Sequence, residues 1–65
     1  MKTTTTTLNE YLVTVFDRNT DRLGAFTLYG NTDYEVYNKW FDNRKENEYF
    51  ATVDYKGTFE FEVLV

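Results

Sequence analysis

The stretch YFATVDYKGTFEFEVLV, from Tyr49 to Val65, decides how this chain folds. Tyr49, Ala51, Val53 and Tyr55 recur at every second position. Phe59, Phe61, Val63 and Val65 then alternate with Glu60 and Glu62. A period of two is the signature of a strand with one face buried. Between the runs, Asp54-Tyr55-Lys56-Gly57 has the make-up of a type I turn, with Gly57 free to take a positive φ. A three-residue loop at Tyr55 to Gly57 would set Val53 opposite Phe59, Ala51 opposite Phe61 and Tyr49 opposite Val63. Each pair is apolar on both strands, so the stretch predicts a β-hairpin.

Upstream, Asn31 to Asn47 carries a helical pattern. Thr32-x-x-Glu35 fits a capping box, in which a hydroxyl and a carboxylate serve the free amides of the first turn. Asp33 adds a favourable negative charge there. Tyr34, Tyr37, Phe41 and Arg44 follow at helical spacing, with Val36 and Trp40 widening the stripe. The helix is expected to end near Arg44 or Glu46, with Asn47 as the stop. Further upstream, Tyr11–Asp17 and Leu23–Tyr29 read as two strands around the turn cluster Arg18-Asn19-Thr20-Asp21-Arg22. A four-residue loop at Asn19 to Arg22 would pair Val15 with Phe26, Val13 with Leu28 and Thr14 with Thr27.

The expected fold is therefore α+β. Its order is ββαββ, one four-stranded antiparallel sheet with a single helix packed on one face. Residues 10–65 form the single domain. Residues 1–9, with five successive Thr, read as a flexible arm, since they have β-propensity but no apolar face. A strand extension that pairs in a dimer is the other reading of this segment.

Composition narrows the function. The chain has 65 residues, with no Cys, no His and no Ser. Disulfides and the usual zinc ligands are excluded, and the common nucleophile–base pairs cannot be built. Asp17-x-Asn19-x-Asp21 matches the opening of a calcium loop. However, Arg22 and Leu28 stand where that loop needs Gly and Glu, and Asx-rich turns have their own local reasons. No cofactor, no metal and no catalytic activity are expected. Six Phe, six Tyr and one Trp must supply the core of so short a chain.

The net charge is −4, from eleven acids and seven bases. Direct binding to a nucleic-acid backbone would oppose that charge, and the bases form no groove. No apolar run reaches the length of a membrane span, and the N-terminal residues lack an apolar leader. A cytoplasmic location is the expectation.

The predicted sheet leaves one face away from the helix. Leu12, Phe16, Tyr29, Phe50 and Leu64 are expected on it, with the acids Asp54, Glu60 and Glu62. An aromatic patch rimmed by acids suggests an interface for a protein partner with a basic surface. The expected binding residues are Leu12, Phe16, Tyr29, Phe50, Asp54, Glu60 and Glu62. The Val36–Trp40 edge of the helix is a second candidate surface, with core packing as its alternative. In size and composition the chain resembles accessory proteins of phages and mobile elements, including anti-CRISPR and other anti-defence inhibitors. That likeness implies an inhibitor and assigns no residue a role. A structural or self-associating protein is the alternative, a homodimer joined through the outer face or a strand edge.

Overall fold

A computed structural model describes residues 2–64. Four elements follow in order: β1 (Thr3–Phe16), β2 (Arg22–Gly30), α1 (Asp33–Asn43) and β3 (Phe50–Leu64). The strands form one antiparallel sheet in the order β2-β1-β3. The α+β class with one antiparallel sheet and one helix agrees with the sequence. The sheet has three strands rather than four.

The missing strand is a correction at Tyr55–Gly57. No chain reversal occurs there. β3 runs straight through and pairs along the whole of β1. The register places Tyr11 opposite Tyr55 but Glu10 opposite Gly57, so Lys56 is an extra residue, a β-bulge. Gly57 takes a φ of 157°, at the edge of the region that side-chain-bearing residues avoid. Val53, Ala51, Phe59 and Phe61 therefore face Val13, Val15, Leu8 and Thr6, not one another. Val65 lies outside the described residues.

The partner of this long strand is the Thr-rich segment. Thr3 to Thr7, expected in an arm outside the domain, form the first part of β1, each paired with a residue of β3. An unbroken ladder satisfies more backbone groups than a hairpin beside a free arm would.

The first hairpin forms with a tighter connection. Val13 faces Phe26 and Val15 faces Gly24, a slip of two residues from the expected register. A slip of two keeps every side chain on its face. Asp17 closes the loop. Its Oδ1 accepts from the amides of Asn19 at 2.8 Å and Asp21 at 3.0 Å. Thr20 takes a φ of 66° in the same loop. The Asp17-Asn19-Asp21 pattern is thus an Asx turn.

Thr32 caps α1, its hydroxyl accepting from the Glu35 amide at 3.1 Å. Glu35 reaches back to the Asn31 amide at 2.9 Å, one residue earlier than a capping box requires. The face turned to the sheet is narrower than expected. Val36 and Trp40 are buried, while Tyr34, Tyr37 and Phe41 are exposed. The Val36–Trp40 edge is therefore core and not surface. One apolar residue per turn suffices because the helix lies on a small patch: Tyr11, Val13 and Val15, with Leu28, Ala51 and Val53 at the margin.

That core occupies one end of the molecule. The chain extends 50 × 20 × 17 Å, with a radius of gyration of 14.3 Å. A compact chain of this length would have about 11 Å. The excess comes from Thr3–Leu8 and the β3 residues opposite them, a two-stranded ribbon that projects beyond β2.

Candidate functional site

The bulge at Lys56 decides what the face away from the helix carries. Tyr11, Val13, Val15, Ala51 and Val53 point toward α1. Cross-strand partners share a face, and neighbours along a strand alternate. Leu8, Leu12, Tyr29, Phe59, Phe61 and Val63 therefore lie on the outer face. If Lys56 were instead paired in register with Glu10, Phe59, Phe61 and Val63 would fall on the helix side, because each later residue of β3 would change parity.

The predicted binding residues divide accordingly. Leu12, Phe16, Tyr29, Phe50 and Asp54 share the outer face. Phe16 and Phe50 sit opposite each other at one end of it. Glu60 and Glu62 do not join them. They pair with Thr7 and Thr5 on the helix-side face of the ribbon, and Leu64 pairs with Thr3 there. The same bulge that brings Phe59 and Phe61 outward turns these acids away. The alternating pattern predicts Phe59, Phe61 and Phe26 on the buried face, yet all three are exposed. The only signal for the bulge was Gly57, which served the expected turn equally well.

The centre of the outer face is ordered by specific contacts. Tyr29 and Phe61 meet edge to face, with centroids 5.3 Å apart at 85°. The Tyr29 hydroxyl donates to Glu10 Oε2 at 3.1 Å. That hydrogen bond, with smaller contributions from desolvation and the carboxylate charge, raises the Tyr29 hydroxyl above its ordinary pKa of 10.0. Phe59, Phe61, Val63 and Tyr29 are between 37% and 46% exposed. Taking about 200 Å² for a whole aromatic side chain, they present roughly 300 Å² of largely apolar surface. That is comparable to the largest patch on a typical monomer. Glu10 and Asp54 are the acids on this face. Lys39 lies on the helix, Arg44 and Lys45 just after it, and Arg18 and Arg22 at the hairpin loop.

Two other features are weaker. A shallow cleft of about 370 Å³ lies between the start of α1 and β3, lined by Tyr11, Asn31, Thr32, Asp33, Val53 and Tyr55. Several of its polar groups are already bonded to neighbours: the Tyr55 hydroxyl shares a hydrogen bond with Thr58 Oγ1 at 2.6 Å, and Asn9 Nδ2 donates to the Tyr11 hydroxyl at 3.3 Å and to the Asn31 carbonyl at 3.1 Å. Asp33 opposes an anion at this helix end. On the exposed side of α1, Tyr37 stacks on Phe41 and the Arg44 guanidinium lies 4.5 Å from the Phe41 ring centre. That cation shields the aromatic stripe.

Among the described residues, no group of three or more His, Cys, Asp or Glu is placed to hold a metal ion. No helix there is long and apolar enough to cross a membrane. No family model, no curated protein and no solved structure matches this chain.

Proposed function

We propose that this chain is a non-catalytic protein-binding module that docks the outer face of its sheet onto a basic surface of another protein. The observation that carries this reading is the aromatic cluster of Tyr29, Phe59 and Phe61, held half-exposed on the outer face of the sheet. Aromatic side chains supply large contact area at low entropic cost, and they dominate binding energy where they are buried by a partner. Glu10 and Asp54 on the same face, with the net charge of −4, favour a basic partner. An inhibitor that covers a cationic surface, in the manner of anti-defence proteins, is the form of this function that charge and size support.

The test is a comparative capture from the cells that make the protein, using wild type, Phe59→Ser with Phe61→Ser, and Tyr34→Ser as baits. The reading requires a protein retained by wild type and by Tyr34→Ser, lost with the double variant, and released by rising salt. Equal retention by all three baits, or retention independent of salt, would overturn it.

A further inference from the structure

We infer that the open edge of β1 from Thr3 to Leu8 pairs with the same edge of a second copy, antiparallel about a two-fold axis. β1 is the central strand only from Asn9 to Phe16, where β2 and β3 flank it. From Thr3 to Leu8 it pairs with β3 alone, because β2 ends at Gly30 opposite Asn9. Among the described residues, nothing else bonds to that backbone edge. A two-stranded ribbon without a covering element is marginal in water, and a third strand is what such a ribbon lacks. Here the helix core ends at Tyr11, so the ribbon has no cover of its own.

The chemistry of the edge selects a second copy. Natural edge strands are protected by charge, by Pro or by bulges. The free edge of β3 has such protection, with Asp54, Lys56, Glu60 and Glu62 and the bulge itself. Thr3 to Leu8 has none. For a chain of net charge −4, this uncharged segment is where two copies meet with least repulsion. The segment also complements itself. In an antiparallel pair, facing residues share a face, so a register centred on Thr5 sets Thr5 against Thr5, Thr4 against Thr6 and Thr3 against Thr7 of the second copy. Every such pair is Thr on Thr, which favours cross-strand hydroxyl contacts. β2 blocks further pairing beyond Leu8, so the assembly closes as a dimer and does not grow. β2 and the second copy's β1 then lie end to end along one edge, with both helices on the same side of a continuous sheet. This edge is separate from the aromatic face of the proposed function.

The test is sedimentation velocity of the full chain from micromolar to about 1 mM, the range in which weak homodimers form. Wild type is expected to approach twice its 7.8 kDa mass. Thr5→Lys sets two ammonium groups opposite each other across the axis. Within one copy it faces Glu62, an attractive pair that keeps the fold. Its association is expected to weaken about tenfold or more. Thr5→Glu with Glu62→Lys is the complementary variant, and an equimolar mixture of the two should associate again. Circular dichroism checks that each variant is folded. In wild type, the amides of Thr3 to Leu8 that face away from β3 should exchange more slowly as concentration rises. A wild type that stays at 7.8 kDa, with those amides exchanging freely, would overturn the inference and leave the edge for a foreign strand. Association of Thr5→Lys as tight as wild type would place the interface elsewhere. Loss of the captured partner by Phe59→Ser with Phe61→Ser, with dimerisation intact, would separate this interface from the binding face.

Discussion

Replacing Gly30 by Ala tests how closely the end of β2 packs against α1. Gly30 is buried at the end of β2. A Cβ built there would lie 2.9 Å from Val36 Cγ2 and 3.4 Å from Glu35 Cδ. Carbon atoms prefer separations of about 3.5–4.0 Å, so the first contact is short by roughly 0.6–1.1 Å. Val36 has no exposed surface and cannot swing away. Overpacking of this kind costs about 1–3 kcal/mol. Alanine also restricts the unfolded chain, which returns about 0.4–1 kcal/mol. The net loss is expected to be about 1–2 kcal/mol, from a total that for this length is about 3–10 kcal/mol. The melting temperature should fall by about 5–15 °C. The cause is identified by a second change. Val36→Ala alone removes buried methyl groups and should cost about 2–3 kcal/mol. In the double variant the new Cβ occupies space that Cγ2 has left. The double variant should therefore be about 1–2 kcal/mol more stable than the two losses added together. Urea unfolding followed by fluorescence of Trp40, the single Trp and a buried one, measures all four proteins. Additive losses, or a Gly30→Ala protein as stable as wild type, would refute the packing of α1 on the end of β2.

Two further predictions address the outer face. Glu10→Gln keeps an acceptor for Tyr29 but removes the carboxylate, so the Tyr29 hydroxyl should titrate closer to 10.0. Because its folded-state pKa is raised, the contribution of this pair is intact below pH 10, declines as pH rises through the raised value, and should lose that decline in Glu10→Gln; an NMR titration of the tyrosine rings reads both effects. Deletion of Lys56 should close the bulge and leave Phe59, Phe61 and Val63 on the outer face, since Gly57 would still face Glu10. A cross-strand contact between Phe61 and Tyr29 preserved in NOE spectra is the expected result, whereas a turn at Tyr55–Gly57 would be destroyed by the same deletion.

The elements were legible where local chemistry alone decides them. Thr32 and Glu35 mark the start of α1 because capping acts within one turn. The faces of Tyr11 to Phe16 follow from alternation, and a slip of two residues against β2 left them unchanged. What a residue does at long range was less legible. Helical spacing predicts a stripe through Tyr34, Tyr37 and Phe41, but the small sheet beneath α1 has room only for Val36 and Trp40. The candidate face was half legible: Leu12, Phe16, Tyr29, Phe50 and Asp54 share it, whereas Glu60 and Glu62 belong to the other side.

The stretch from Tyr49 to Val65 shows where the boundary lies. By itself the sequence determined that residues 50–54 and 59–64 are extended and alternate, because the period of two is a property of the local backbone. Whether Asp54 to Gly57 reverses the chain or carries it onward is not local. A hairpin and a bulge use the same residues there, and the choice depends on whether a long partner strand lies alongside. The tertiary structure decided it, because pairing Thr3–Phe16 satisfies the backbone of both halves of β3 at once. That one choice sets the number of strands, exposes Phe59 and Phe61, and leaves Thr3–Leu8 with an open edge.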